Sequence, residues 1–314
     1  MIFMPEIIYT LLGASGQVGS TIVHRLLEKG KTVRLVSRHP DRVKSFISRG
    51  AIACIGDLND LEFLRDAFAG AEAAFVLTPP DYKSEDYENS QLSTGKAIAA
   101  SLQGSSVSQV VNLSAHHAQD AQAPGILHNL YRNEMELNRL SQISVLHLRP
   151  AYFMENLFAI LPQIPGGIIG TQFSPYRLMP MIAVEDIGNY AAKQLLRLDF
   201  RGKQVVELLG QRDLSMADIT RTLSFALGMH LHYRQFTAEQ GRQSLLDSGH
   251  FSGSAADLIV EMNEALNGGA LTQSPRTAEN ATPTSIEFFA GKFRTAYEKQ
   301  SRISHSPSLN PLQL

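Results

Sequence analysis

The stretch Leu11-Leu12-Gly13-Ala14-Ser15-Gly16-Gln17-Val18-Gly19 decides the fold of this chain. An apolar run precedes it from residue 7, and apolar residues at helical spacing follow it up to Leu27. The pattern predicts a β-strand, a glycine-rich turn and an amphipathic α-helix. Three such glycines would be a plain turn in any α/β protein, but a strand before them and a helix after them favour a phosphate-binding loop.

Each glycine of this loop has a role in binding a dinucleotide. Gly13 permits the tight turn, Gly16 lets the backbone approach a pyrophosphate, and Gly19 lets the helix pack against the strand. The helix N-terminus then offers amide groups to the negative charge. The spacing is G-x-x-G-x-x-G rather than the commoner G-x-G-x-x-G. We assign these loop residues to the cofactor site: Gly13, Ser15, Gly16, Gln17, Val18 and Gly19.

The composition argues against several other classes of protein. The 314 residues carry a net charge of -2, so the sequence predicts no basic surface for nucleic acid or an anionic membrane. Cys54 is the single cysteine, and there is no H-E-x-x-H spacing, so neither a disulfide nor a metal site is expected. The first residues do not resemble a signal peptide, and no apolar run reaches about 20 residues. We expect a cytoplasmic protein that acts on a small molecule.

The residue after the second predicted strand, 32–37, bears on the identity of the dinucleotide. An acidic residue there would accept hydrogen bonds from the ribose hydroxyls of NAD, whereas an arginine meets the 2′-phosphate of NADP. The sequence has Arg38 at this place and Arg42 shortly after it, with no acid at the strand end. Because guanidinium matches the geometry of phosphate, we expect NADP(H) as the cofactor. The alternative is that both arginines are solvated loop charges.

Strand and helix patterns alternate through the first half of the chain. Further strands are predicted at 51–55, 73–77, 109–113 and 145–148, with helices between them. This alternation predicts an α/β fold with a Rossmann-type, doubly wound parallel sheet. Such sheets bind ligands at the carboxyl ends of their strands, so four residues after strands three and four join the expected cofactor site: Asp57, Leu58, Thr78 and Pro79. For Asp57, a cap of its own turn is the alternative.

The second half of the chain has a different character. Prolines and glycines interrupt residues 162–170, and three capping-box spacings predict helix starts at Ser215, Thr237 and Thr284. We therefore expect a smaller, mostly helical C-terminal lobe. The predicted division is a dinucleotide-binding domain at 1–155, to which 180–210 return, and a substrate-side lobe at 156–179 and 211–314.

Three further groups near strand or helix ends have two interpretations each. Residues 152–154 follow the sixth strand and either line a pocket or belong to the core, and we assign Tyr152 to the cofactor site. His116 and His117 are interpreted as loop histidines rather than ligands. Asp186 precedes a helical pattern and is interpreted as a helix N-cap rather than a catalytic acid.

Taken in order, these motifs resemble the NmrA-like family of atypical short-chain dehydrogenase/reductases. The resemblance covers nearly the full length and rests on the segments 13–19, 36–38, 56–58, 77–80, 128–136, 148–156, 184–188 and 282–284. The family includes NADPH-dependent quinone reductases and redox-sensing regulators, and it is related to isoflavone-reductase-like enzymes. The resemblance thus implies hydride transfer from NADPH to a quinone or another small carbonyl or conjugated acceptor. Alternatively it implies a non-catalytic NADP(H) sensor that acts through a protein partner, and a homodimer is compatible with both.

The resemblance also implies three candidate catalytic residues, Ser114, His128 and Arg132. Catalytic short-chain dehydrogenases have Tyr-x-x-x-Lys with a preceding serine; here Ser114 follows strand five, His128 stands at the tyrosine position and Arg132 at the lysine position. Arg132 can bond the nicotinamide ribose but cannot act as a base. His128 can transfer a proton near neutral pH, or it only orients a ribose or a carbonyl. Hydride transfer to a quinone needs little beyond a positioned nicotinamide, whereas sugar-nucleotide epimerisation relies on the tyrosine and is disfavoured.

Overall fold

The computed structural model describes residues 7–269 and 274–304. The strands are β1 (Ile8–Leu12), β2 (Thr32–Ser37), β3 (Ile52–Ile55), β4 (Ala73–Val76), β5 (Gln109–Leu113), β6 (Ser144–Pro150), β7 (Tyr152–Phe153), β8 (Ile168–Thr171), β9 (Met179–Ile182), β10 (Lys203–Leu208), β11 (Asp213–Leu214) and β12 (His232–Gln235). The helices are α1 (Gln17–Glu28), α2 (Lys44–Ile47), α3 (Leu61–Phe68), α4 (Tyr87–Leu102), α5 (Ile126–Asn138), α6 (Val184–Arg197), α7 (Met216–Leu227), α8 (Ala238–Asp247), α9 (Gly253–Gly268) and α10 (Ile286–Ser304). Within these ranges, no helix is both long and apolar enough to cross a membrane.

Seven strands form one sheet in the order β10-β6-β5-β4-β1-β2-β3, and every pair in it is parallel. The strand order reverses between β1 and β4, because β2 and β3 extend the sheet on one side and β4 to β6 on the other. Open α/β sheets bind ligands in the crevice at such a reversal, outside the carboxyl ends of the strands. The predicted Rossmann-type α/β fold is confirmed, and the glycine loop after β1 borders this crevice.

Alternate residues of the central strands build two separate cores. Leu11 packs among residues of α1 and α6, whereas Leu12 packs among residues of α3 and α4, and both are fully buried. Successive side chains of a strand point to opposite faces, so a continuous apolar strand needs helices on both faces. Each leucine contributes about 1.5–3 kcal/mol through burial. Because Leu11 and Leu12 are buried on opposite faces of the sheet, the end of β1, and with it Gly13, has a fixed position.

The edge strand β10 is absent from the strands that the sequence predicts. It pairs with β6 from Lys203, opposite Val145, to Leu208, opposite Pro150. Its first three residues are exposed, and only Leu208 is fully buried. A half-exposed edge strand lacks the apolar run that identifies a central parallel strand, so the sequence does not predict β10. The division of the chain into two domains stays a prediction.

The C-terminal portion is mostly helical, as predicted, and has a core of its own. This third core joins residues of α7 and α10 to residues of β9 and of the 3₁₀ segment Met154–Gly166. Ser215 and Thr237 each close a capping box at the start of α7 and α8, as the sequence predicts. The apolar faces of α7 and α10 therefore pack against β9 and against the 3₁₀ segment that follows Tyr152 and Phe153.

Two helix-start predictions in this portion are wrong. Helix α10 begins at Ile286, and Ser285 Oγ, not Thr284, accepts the amide of Phe288 at 3.2 Å. The hydroxyl and amide of Thr284 instead donate to the Asp186 carboxylate at 2.9 and 3.0 Å. Asp186 is accordingly not an N-cap: it lies in the first turn of α6, whose N-cap is Ala183. Thr284 and Asp186 bond to each other, although they are distant in sequence, and neither caps its own helix. This contact joins the start of α10 to α6.

Candidate functional site

The loop between β1 and α1 has two glycines that the protein itself requires. Gly13 has φ +64°, and a Cβ there would lie 2.6 Å from Leu77 Cδ2. A Cβ on Gly19 would lie 2.2 Å from the carbonyl oxygen of Gly13, closer than any side chain can approach. Val18, which precedes Gly19 in the chain, is buried in the core. These residues shape the loop from within.

Gly16 differs, because little inside the protein demands a glycine there. It is exposed, its φ of -77° suits any residue, and the nearest atom to an added Cβ is Gly13 O at 3.2 Å. Helix α1 begins immediately after it with no side-chain cap and no acidic residue in its first turn. Ser15 and Gln17 beside it are exposed as well. An open, uncapped helix N-terminus beneath a glycine fits a pyrophosphate, whose charge would meet free amides.

A small cleft of about 50 Å³ joins four of the predicted cofactor residues. Arg38, Asp57, Leu58 and Pro79 all line it, at the carboxyl ends of β2, β3 and β4. The Arg38 side chain is exposed and makes no hydrogen bond or ion pair with any residue that the structure describes. Asp57 Oδ1 accepts from the amide and the side chain of Asn59 at 2.8 and 3.1 Å, so this carboxylate does cap its turn. The cleft therefore offers one cation that is free to bind an anion.

The three predicted catalytic residues lie in different surroundings. Ser114 is buried, and its hydroxyl has no partner in the described part of the chain. His128 and Arg132 are half-buried on α5, where the His128 ring lies beside that of Tyr131, with 6.3 Å between their centroids. Thr78, predicted for the cofactor site, accepts a hydrogen bond from Asn133 of the same helix at 3.0 Å. None of the three catalytic candidates lines the deep cavity described next.

A deep cavity of about 250 Å³ opens at the carboxyl ends of β5 and β6. Helices α5 and α9 close it from two sides, and Tyr82, from the segment after β4, contributes a further wall. Among the residues described, no Asp, Glu, Lys or Arg lines it. The lining is Tyr82, Ala115, His116, His117, Ile126, Leu127, Leu130, Pro150, Ala151, Tyr152, Phe153, Asn156, Met179, Pro180, Met262 and Leu266.

The cavity resolves the two interpretations of residues 152–154. Tyr152 and Phe153 line it, whereas Met154 is 1% exposed and belongs to the C-terminal core. Burial raises the pKa of the Tyr152 hydroxyl to about 12, partly offset by a hydrogen bond with Asn156. This hydroxyl therefore stays protonated at neutral pH.

His116 and His117 line the cavity, which the sequence interpretation did not foresee. They do lie on a loop, but both are buried in the cavity wall, with ring centroids 3.8 Å apart. Burial lowers the pKa of each imidazole to about 4; the Arg149 charge adds to this effect at His116, and His116 adds to it at His117. Both rings are thus neutral at pH 7. Their position directly after strand five, at the edge where ligands bind, was the signal available in the sequence.

A buried polar network fixes helix α5 to the sheet behind this cavity. Arg149 on β6 donates two hydrogen bonds to Glu134 on α5, and the Glu134 carboxylate is 1% exposed. Next to them, His147 contacts Asn112 and Asn138 at 3.0 and 2.9 Å. These side chains determine how α5 is rotated, and hence which of its faces reaches the cavity. In the described ranges, no group of histidine, cysteine or acidic side chains could hold a metal ion.

A parallel sheet with a glycine loop at its centre and a ligand cavity at its carboxyl edge defines the fold of NAD(P)-binding oxidoreductases. Comparison with known families agrees, since the NmrA-like family matches residues 7–287. The chain belongs to the NmrA-like family.

Individual relatives lie on both sides of the division between enzymes and regulators. An NAD(P)H azoreductase from Xenophilus azovorans is 25% identical over 256 residues, which are 80% of this chain and 85% of that protein. The triphenylmethane reductase of Citrobacter sp., solved with NADP(H), superposes with a TM-score of 0.78 at 17% identity, covering 91% of this chain and 99% of the other. An NADPH-dependent quinone oxidoreductase from Escherichia coli gives 0.74 at 18%, covering 90% and 99%. NmrA, a negative transcriptional regulator solved with NADP, gives 0.67 at 15%, covering 97% and 99%.

Proposed function

We propose that this protein is an NADP(H)-dependent reductase that transfers a hydride to a quinone or another small carbonyl or conjugated acceptor. The observation that carries the proposal is the uncharged, aromatic-walled cavity at the carboxyl edge of the sheet, on the same edge as the uncapped N-terminus of α1. Small-molecule sites are typically apolar clefts with a few polar groups that orient the ligand. The azoreductase relative and the two reductase structures support the same chemistry.

The preference for NADP(H) over NAD(H) is part of the proposal and rests on Arg38. Its guanidinium is unpaired within the described residues and lines the cleft at the carboxyl ends of β2, β3 and β4. Two acidic residues line the same cleft, Asp57 and Asp81; Asp57 already accepts two hydrogen bonds from Asn59, and neither carboxylate forms an ion pair with Arg38. A guanidinium without a carboxylate partner is suited to the 2′-phosphate of NADP.

The residues of the chain would divide the work as follows. Gly16 and the first amides of α1 bind the pyrophosphate, and Arg38 binds the 2′-phosphate. Arg132, whose side chain has no partner in the part of the chain that is described, contributes a fixed cation toward the ribose. When bound, NADPH supplies a hydride, so the acceptor gains two electrons with that hydride and takes one proton from solvent. The apolar walls from α5 and α9 exclude water around the acceptor.

A non-catalytic sensor is the second candidate function. It is favoured by the replacement of the usual lysine by Arg132, and the fold is shared with the regulator NmrA. Such a protein would bind NADP(H) and signal to a protein partner without turnover. The same fold supports both functions, so activity has to be measured.

A turnover assay with NADPH against a panel of quinones, with cofactor binding measured in parallel, separates the two functions. The reductase proposal expects acceptor-dependent oxidation of NADPH by the wild-type protein. Tight binding of NADP(H) with no oxidation above the uncatalysed rate, for every acceptor in the panel, would leave the sensor as the better proposal.

A further inference from the structure

We infer that His117 is the residue that binds the oxygen of the acceptor, as a neutral hydrogen-bond donor in the wall of the deep cavity. The inference rests on the proposed function for the identity of the acceptor. It concerns a residue that the comparison with dehydrogenases does not single out, since Ser114, His128 and Arg132 all lie outside the cavity lining.

The backbone places His117 at the turn that ends the contact between β5 and β6. The amides of Ser114 and His116 donate to Leu148 O and Pro150 O at 2.8 and 2.9 Å, which extends the pairing beyond the strand. The chain then reverses, and Ala118 N donates to Ala115 O at 3.1 Å. His117 is the third residue of this turn.

The backbone conformation of His117 is uncommon for a residue other than glycine. Its φ is 72°, in the left-handed region, where turns of this kind normally have glycine or asparagine. Strained residues of this kind cluster at ligand sites, where the position of the side chain is needed. The turn delivers the imidazole to the cavity wall, where it is 6% exposed.

The imidazole of His117 has hydrogen-bonding capacity that the protein leaves unused. Its Nδ1 is buried and has no hydrogen-bond partner within the described residues. The ring is neutral at pH 7, because burial lowers its pKa to about 4, and a neutral imidazole keeps one N–H donor. A buried polar nitrogen without a partner is destabilising. A substrate oxygen that accepts a hydrogen bond from His117 Nδ1–H relieves that penalty.

The other polar groups of the cavity are less suited to this role. His116 Nε2 is likewise buried without a hydrogen-bond partner among the described residues, but it lies 3.7 Å from Glu207 Oε1 of β10, and its ring packs against that of His117, so we assign His116 a positioning role. The Tyr82 ring stacks on Tyr87 and packs at a tilt against Phe251. The Tyr152 hydroxyl is engaged with Asn156.

A neutral histidine donor fits the charge change of the reaction. When a quinone accepts a hydride, negative charge develops on a carbonyl oxygen, and one proton from solvent completes the hydroquinone. A fixed donor at that oxygen stabilises the charge where it develops. A neutral imidazole can act this way without being protonated first, as in other enzymes that polarise carbonyl groups. His117 therefore supplies a hydrogen bond and no net proton.

The test compares His117→Phe, which keeps a ring but has no donor, with His117→Asn, which keeps an N–H donor and tolerates the left-handed backbone. Duroquinone is the acceptor, because its fully substituted ring does not add to the Cys54 thiol. We expect His117→Phe to lower kcat/KM at least about tenfold with unchanged affinity for NADPH, and His117→Asn to recover part of the loss. His117→Gly relieves the backbone and serves if the phenylalanine variant does not fold. His250→Asn, on an exposed loop, is the matched control.

A second readout separates this inference from the reductase proposal. Histidine side-chain NMR of the protein with NADP⁺ is recorded with and without duroquinone, and the His117 ring signals are assigned by their loss in His117→Asn. We expect these signals to shift when duroquinone binds. If they shift but the wild-type protein shows no turnover, the reductase proposal is rejected and His117 remains the residue that binds the acceptor oxygen. Unshifted His117 signals, wild-type kcat/KM in His117→Phe, or a larger loss in Tyr152→Phe would each overturn the inference.

Discussion

Arg149 and Glu134 face each other through two hydrogen bonds, Nε to Oε1 at 2.9 Å and Nη2 to Oε2 at 2.6 Å, behind the deep cavity. This ion pair joins β6 to α5, and Glu134 is almost inaccessible to solvent. Pro150, which follows Arg149 on β6, lines the cavity, as do Ile126, Leu127 and Leu130, which precede Glu134 on α5. The shape of the acceptor site therefore depends on a buried contact that touches no ligand.

We predict that Glu134→Gln lowers the free energy of unfolding by about 3 kcal/mol, because it leaves the Arg149 charge poorly compensated in the interior. Glu136→Gln on the same helix is the matched control, since its pair with Arg139 lies on the surface and contributes less than about 1 kcal/mol. Urea unfolding of both variants measures the difference. Equal losses would show that the buried pair does not fix α5.

Two glycines of the loop are expected to affect different properties: Gly19 the stability of the protein, and Gly16 its binding of NADPH. Gly19→Ala should lower stability by about 2 kcal/mol, because the contact with Gly13 O outweighs the gain of about 1 kcal/mol in helix propensity. Gly16→Val should remain folded and lose NADPH binding, because its side chain would occupy the place of the pyrophosphate. Thermal unfolding and calorimetric titration with NADPH test the pair. A folded Gly16→Val variant with normal affinity would mean that the loop is only structural.

Arg38→Ala should abolish the preference for NADP over NAD, because it removes the unpaired guanidinium of the cleft. We expect the affinity for NADPH to fall by at least about tenfold, and the affinity for NADH to stay within about twofold. Arg42→Ala, an exposed neighbour outside the cleft, is the control. The NADP proposal fails if the wild-type protein binds both cofactors equally.

Arg132→Ala should weaken NADPH binding, whereas Arg132→Lys should retain it and restore the residue usual at this position. Both follow from a cation held on α5 without a partner in the described residues. His128→Ala, four residues earlier, tests the alternative to His117: if His128 holds or protonates the acceptor oxygen in place of His117, this variant lowers turnover more than it weakens NADPH binding. Steady-state kinetics and NADPH titration of the three variants measure these effects. Unchanged turnover and unchanged NADPH affinity in both alanine variants would show that α5 is not part of the cofactor site.

The buried histidines predict that stability falls as the pH is lowered. The pKa values of His116, His117 and His147 are lowered to about 4 in the folded protein, so the unfolded chain binds more protons below its ordinary histidine pKa of about 6.5. Their contribution is complete above about pH 6.5 and is lost on descent toward pH 4. Urea unfolding between about pH 5 and 7 should show this slope, and His147→Gln should reduce it. A flat profile in that range would contradict the burial of these rings.

The central sheet was predictable because its strands are buried on both faces. β2 and β5 occur at the predicted bounds, and the glycine loop occurs where the pattern required it. Local patterns could not show what depends on distant partners. Thr284 has a good capping sequence but bonds to Asp186 instead.

The acceptor cavity was likewise only partly predictable. Tyr152 could be placed at the sheet edge because it follows strand six. The burial of His117 could not be foreseen, because it depends on α9 and on Tyr82 closing the cavity from segments far away in the sequence. The left-handed conformation of His117 could not be predicted either, because turns of this kind normally have glycine or asparagine at that position.

The most direct test of the proposed reductase is a single-turnover reaction under anaerobic conditions. The protein is saturated with NADPH and mixed with excess duroquinone, and NADPH and hydroquinone are quantified over time. We predict that the wild-type protein oxidises its bound NADPH to form one hydroquinone per NADPH, faster than free NADPH under the same conditions. Bound NADPH that survives at the rate of free NADPH, in a protein that binds duroquinone, would contradict hydride transfer at this site.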